Sequence, residues 1–479
     1  MDDKDVIISD LRALVAKLRA EAKSLRAEVK SLRLELAKAK KDSSTSSKSP
    51  SSDIVKPPKK KKKPASRKKS KRGGQQGHKR HLREPLPAER VDESFVYELE
   101  ASEIQDRGLT ATDEFEIIQH IELLDLPVHV TEHQLRKYLD QNGKTVLPDV
   151  PELKGPIFGP RMLAMIGWLK SRAHCSYSTV ALWMSDVLQI PVSRGYLAKL
   201  CNGVISDSLA EAHEEIKQAV TQQPCLGSDE SSLKNNGKKY WIWCIAAPLF
   251  TLFHIAATRG RSVLEELIGD DFTGFVNFDY FSSNCSFAWN FDVKAQYCWA
   301  HLIRDIRFLL KHPDKKTNAW AEQLQDRSRK MFSAWHRRDE MSEEGFHRSM
   351  IIQRDRFLEV VRKPPDCQES QNITDRFRIV EYSEGECVAQ YDMSEDYFRF
   401  MFNEGVEPSN NHAEQQIRHC VIDRKITQGT RSAVGQRYHE RMWTAIATCT
   451  KQNRSFFQFL ESAIDANLSQ KKPPSLLKP

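Results

Sequence analysis

At 479 residues the chain is too long for one ordinary domain, so several are expected. Its +8 formal charge is concentrated: residues 41–83 hold sixteen Lys/Arg against two Asp, or +14, which leaves the rest at −6. Ten cysteines, with none before Cys175 and no C-x-x-C pair, argue against a disulfide framework or a Cys-rich zinc site and fit a reducing compartment. The acidic start MDDKDVIISD lacks a signal-peptide pattern. The most apolar run, Tyr240 to Ala257, is broken by Pro248 and holds Thr251 and His254, so it reads as two buried strands and not as a membrane span. A cytoplasmic location is the expectation.

Residues 5–40 form the first predicted element. Ile8, Val15, Ala22, Val29 and Leu36 recur at one seam position, and Leu11, Leu18, Leu25, Leu32 and Ala39 at the other. β-Branched residues at a with leucine at d favour a parallel two-stranded coiled coil. Glu21, Glu28 and Glu35 precede Arg26, Arg33 and Lys40 by five residues, the spacing that pairs opposite charges across a homodimer. The alternative is a single amphipathic helix docked on its own protein.

Residues 41–83 are rich in Ser, Pro and Lys and cannot bury a core. Lys59, Lys60, Lys61, Lys62, Lys63, Arg67, Lys68 and Lys69 make this segment a binder of polyanions such as DNA, through counterion release and without sequence readout. Residues 84–158 suggest strands joined by a turn at Asn142-Gly143. Residues 159–220 turn helical. Within them Pro191 ends one helix and Ser193 caps the next, so ordinary helical packing competes with a helix-turn-helix touching DNA through Arg194, Tyr196 or Lys199.

From residue 221 to 310 the order is three strands, a helix, a strand, a helix or strand, and a helix. This is an antiparallel meander that opens a mixed α/β sheet. Asp229 ends or interrupts the first strand and Asp279 ends the fourth, so if these two strands are neighbours both carboxylates reach one sheet edge. Two close carboxylates repel, and a hard divalent cation, Mg²⁺ or Mn²⁺, relieves the repulsion. Residues 311–400 are charged and helix-prone, a helical insertion. Residues 401–465 return to the catalytic domain, with Glu414 as a third acid among His412, Arg418, His419, Arg424 and Lys425, and residues 466–479 are a tail. Each acid also has a bland reading. Glu414 and Arg418 can pair on a helix face. Glu230 alternates to the other face of the strand. Asp270 and Asp271 read as surface, Asp292 and Asp305 compete, and Cys298 with His301 lacks a second ligand pair.

Four stretches carry a family resemblance: GGQQGHKR; SDES followed by YWIWC; FDYFSSN followed by CWAHLIRDIRF; and PSNNHAEQQIR followed by DRKITQGTRSAVG. They resemble the transposases of the insertion-sequence-66 family, which have DDE chemistry. The most specific match is Asn410, Asn411, Ala413, Glu414, Ile417 and Arg418. Asp229-Glu230 matches the first acid. Asp279-Tyr280-Phe281 matches an Asp-Gly-Tyr-like turn without its glycine. The resemblance implies a ribonuclease-H-like fold and phosphoryl transfer on element ends and target DNA. It implies two Mg²⁺ or Mn²⁺ ions about 4 Å apart, held by Asp229, Asp279 and Glu414. Arg418, Arg424 and Lys425 would contact phosphates, and Asn410 and Asn411 would cap the helix or orient Glu414. A homodimer or higher oligomer, with accessory proteins of the element, fits the same picture. The family's zinc motif has no cysteines here, so residues 84–158 are read as a degenerate zinc-motif-like region and no zinc is expected. A catalytically inactive DNA-binding derivative and a related metal-dependent nuclease are the alternatives.

Overall fold

The computed structural model describes residues 3–39, 86–97, 100–106, 119, 121, 127–136, 138–139, 145–146, 148, 155–383 and 386–477. The basic segment with Lys59–Lys63, Arg67, Lys68 and Lys69 lies outside these residues. The chain divides into two compact units. One holds the N-terminal helix and nearly everything from residue 136 onward, and the other the segment ending at Leu135. In the smaller unit helix α2 (Ala101–Asp106) is short, and the Gln119 side chain bonds both the N–H and the carbonyl of Leu86, at 2.7 and 2.9 Å.

In the larger unit, α1 (Asp3–Ala39) is one continuous helix. Its seam residues Val15, Leu18, Leu25, Val29, Leu32 and Leu36 are between 45% and 60% exposed, so within one chain this apolar stripe is largely uncovered. Near its end, Lys38 meets Glu369 at 2.8 Å. Strands β1 (Tyr138–Leu139) and β2 (Thr145–Val146) pair antiparallel, flanking the Asn142-Gly143 position, which itself lies outside the described residues. Then come α3 (Pro160–Ser171), α4 (Tyr177–Leu188), α5 (Arg194–Leu200) and α6 (Ala210–Ala219). Ser193 caps α5 as its position suggests, accepting the Tyr196 N–H at 3.2 Å.

The sheet follows: β3 (Cys225–Asn235), β4 (Lys238–Ala246), β5 (Thr251–Ala256), α7 (Arg261–Ile268), β6 (Phe275–Phe278), α8 (Ser282–Asn290), β7 (Lys294–Tyr297) and α9 (Trp299–Leu309). The strand order is β5-β4-β3-β6-β7, with β3, β4 and β5 antiparallel and β6 and β7 parallel to β3. This five-stranded mixed sheet is compatible with a ribonuclease-H-like arrangement. Asn236 and Gly237, both at positive φ (48° and 77°), make the two-residue turn between β3 and β4, as an Asn-Gly hairpin requires. Helix α8 was not distinguished in the sequence. It is held by buried Asn284, Phe287 and Ala288.

The insertion contains α10 (Lys315–Trp335), α11 (Glu343–Val361) and α12 (Gln368–Thr374). It also contains an antiparallel hairpin of β8 (Arg378–Ser383) and β9 (Glu386–Asp392), and then α13 (Glu395–Phe398). The helix-prone insertion thus also carries a strand pair that the sequence reading did not distinguish. Helices α14 (Asn411–Thr427), α15 (Ala433–Lys451) and α16 (Phe456–Leu468) complete the unit.

Two of these helices fix the sheet. Edge strand β5 would leave alternate N–H groups unpaired, but α15 covers them at four-residue intervals. Thr448, Thr444 and Glu440 accept from Thr251, Phe253 and Ile255 at 3.2, 3.0 and 2.6 Å. Helix α14 lies against β3. After it, Gly429 (φ 95°) passes so close to the Lys234 carbonyl that a Cβ there would overlap it, and Thr430 exchanges backbone bonds with Lys234 and Asn236. No described helix is long and apolar enough to cross a membrane.

Candidate active site

The parallel register of β3 and β6 ends with Gly227 opposite Asn277. Asp229 and Asp279 each lie two residues beyond that pair, so the neighbouring strands deliver them to one edge of the sheet. The third acid arrives on the first turn of α14. Gly227 allows its approach, since a Cβ there would stand 2.9 Å from Asn410 Oδ1 and 3.4 Å from Ala413 Cβ. Asn410 Nδ2 donates to the Ser228 carbonyl at 2.6 Å, which ties the start of the Glu414 helix to the residue before Asp229. Asn410 therefore does not cap through its side chain. It aligns two acid-bearing elements, and its own carbonyl accepts the Glu414 N–H at 3.1 Å.

Charge at this edge is unbalanced. Burial, and then the charges of Glu230, Asp279 and Glu414, push the Asp229 carboxyl well above its ordinary range, while the Glu230 N–H at 2.9 Å offsets part of this. Burial also raises Asp279, and Glu414 adds to it. His301, Arg259 and the Asn284 amide, 2.6 Å from Asp279 Oδ1, oppose the rise. Glu414 is instead lowered, first by its 3.0 Å hydrogen bond from His301 Nε2, with further help from Arg304 and Arg418. Buried Glu230, paired with Arg259, is pushed up to about 7 by burial and by Asp279. Glu230 Oε2 and Asn284 Oδ1 are buried acceptors with no hydrogen-bond partner among the described residues. Acidic, short of donors and rich in oxygen, the edge suits a hard cation.

Other residues fall apart from this group. Arg424 turns inward, donating to Ser231 Oγ at 2.9 Å and to the Ser232 carbonyl, so it clasps α14 to β3. Arg418 and Lys425 are exposed, as is Asn411. Asp292 sits exposed at a positive-φ turn, Asp305 pairs with Arg376 at 2.6 Å, and Asp270 and Asp271 are exposed. Cys298, His301 and Glu414 place ligand atoms within 4.8 Å of one another. The sequence undervalued His301, because its contact with Glu414 spans 113 residues. The Glu230–Arg259 pair was hidden by the alternation argument. Glu230 does face the other side of the strand, yet it remains within electrostatic reach of Asp279. The turn after β6 has no positive φ at Tyr280, so the glycine of the family pattern is not needed by this backbone.

Against this geometry, a model of the transposase IS66 family matches residues 155–438, which hold all three acids, the sheet and the insertion. The chain belongs to the IS66 family of transposases. A second model, of a family of unknown function, matches residues 2–84 of this IS66-family chain, covering α1 and the basic segment. No curated protein matches it.

Proposed function

We propose that this chain is a DDE transposase catalysing metal-dependent strand cleavage and strand transfer on the DNA of its insertion element. The observation that supports the reading most strongly is the meeting of Asp229, Asp279 and Glu414 at one sheet edge, where burial first, then Glu230 and the other two acids, raise Asp229. Such repulsion is costly in an unliganded fold and is relieved by divalent cations. Asp229, Asp279 and Glu414 would hold Mg²⁺ or Mn²⁺, which supplies activation of the attacking hydroxyl group and neutralisation of charge on the phosphate.

The chain's own groups perform the rest. His301 holds the Glu414 carboxylate through Nε2 and orients it toward the strand ends. Asn284 fixes the Asp279 carboxylate, and Asn410 fixes the helix against β3. Exposed Arg418, one turn beyond Glu414, and Lys425, about three turns beyond it on α14, meet DNA phosphates, and the 41–83 segment adds non-specific attraction. The exposed α1 seam takes the same seam of a second copy, with Glu21, Glu28 and Glu35 facing the partner's cations. Residues 159–220 contribute a helical DNA-binding part, and the ribonuclease-H-like domain spans 221–310 and 401–465 around the 311–400 insertion.

The test is an assay of the purified full chain with duplexes of the element's terminal sequence, in Mg²⁺ and in EDTA. Mg²⁺-dependent 3′-end release followed by joining supports the reading. Cleavage without joining identifies a nuclease, and binding without cleavage an inactive derivative.

A further inference from the structure

Tyr280 follows Asp279 directly and remains 40% exposed. Its ring is nonetheless fixed from behind. Tyr297, at the end of β7, meets it edge-on at 5.2 Å and 73°, and Tyr397 on α13 packs at 6.4 Å and 31°. The Arg376 guanidinium stands 5.0 Å from its centroid, itself anchored by Asp305 at 2.6 Å. Three elements thus hold one part of the ring while another part faces solvent. Among the described residues no hydrogen bond or capping role explains Tyr280, and its backbone, without a positive φ, does not require it.

We propose that Tyr280 is a stacking platform for a nucleobase next to the cleaved phosphate. The inference rests on the active-site reading above. Adjacent Cα atoms lie about 3.8 Å apart, so the ring sits within about a nucleotide of any phosphate that Asp279 attends. A base beside a phosphate under attack must leave or strain its helical stack, and a fixed, part-exposed aromatic ring compensates it whatever its identity. Arg376 behind the ring strengthens the platform as a fixed cation against its π system. The ligand is therefore an unstacked base of the element's end or flank, bound through its face and not its edges. The Tyr280 hydroxyl has no part in this, and phenylalanine should serve.

The experiment uses the full chain and a duplex of the element's terminal sequence. 5-Iodouracil replaces each base flanking the cleaved phosphate in turn, and Ca²⁺ replaces Mg²⁺. Irradiation should cross-link one position to Tyr280, identified by mass spectrometry of the peptide. Tyr280→Leu, which keeps apolar bulk against Tyr297 and should melt like wild type, should lose the cross-link and cleave about 5- to 100-fold more slowly in Mg²⁺. Tyr280→Phe should restore both. Asp279→Asn should keep the cross-link while losing cleavage. Cross-links only at other residues, or a Leu variant that cleaves normally, would overturn the platform and leave the acid assignment standing. Full cleavage by Asp279→Asn would overturn the acid assignment itself, whatever the cross-link shows.

Discussion

Helix α14 carries two acids in opposite company. Asp423 is buried among bases: His439 at 3.3 Å, His174 at 3.8 Å and Lys170 at 3.9 Å, from α15, the turn after α3 and α3 itself. Glu414, nine residues earlier, has His301 and Arg304 on one side but faces the carboxylates of Asp229 and Asp279 on the other. In the first arrangement Lys170 is the countercharge, since burial holds His439, at about 4, and His174 below their ordinary range, and the group joins three helices. The second is left short of positive charge where the sheet opens. An acid whose countercharge is built in reads as structural, and an acid set against acids reads as a place for a ligand.

The largest expected effect breaks this contrast at the sheet edge. Asp229→Asn, Asp279→Asn or Glu414→Gln should each lower Mg²⁺-dependent cleavage by about 10³-fold or more, leave DNA binding in place and, for Asp229→Asn, raise the melting temperature in metal-free buffer. Retained cleavage in any one variant removes that residue from the site. The opposite sign is expected for Asp423→Asn, which should destabilise by about 3 kcal/mol in chemical denaturation, because buried Lys170 loses its countercharge. An unchanged unfolding midpoint would contradict this pairing. His301→Gln should cost about 10- to 100-fold in cleavage with unchanged DNA affinity, as loss of a residue that orients an ion-holding carboxylate.

Smaller still is a pH effect. Glu440 lies away from the acids and is pushed up to about 7 by burial against an ordinary 4.5. A raised folded value means that its stabilising contribution is complete below about 4.5 and is lost as pH rises through 7. Glu440→Gln keeps an acceptor for the Ile255 N–H, so its melting temperature should gain on wild type between pH 5 and 8. Parallel pH curves would show that the carboxyl is ionised without cost.

Much of this was legible in the sequence because the signals were local. The heptads of α1, the Ser193 cap and the strand order from Cys225 onward all depend on neighbours within a few residues. Asp279 could be placed because it follows the end of β6; Asp229 reads in the sequence as ending or interrupting its strand, but β3 runs on through it to Asn235. What escaped depends on contacts across the chain. Helix α8, from SSNCSFAWN, has few helix formers and is stabilised by burial. The β8–β9 hairpin was masked by the charged helices around it. Arg424 looked like a phosphate contact from its basic neighbours, but its orientation toward Ser231 is set by a partner 193 residues away. The cover on β5 requires α15, which lies nearly 200 residues later.

The central claim is that Asp229, Asp279 and Glu414 share divalent ions, and Mn²⁺ titration of the full chain followed by thermal melting tests it most directly. Wild type should gain several degrees with saturating Mn²⁺, while Asp229→Asn, already relieved of repulsion, should start higher and gain little. Equal gains in both proteins would place the ions elsewhere and remove the basis for the active site.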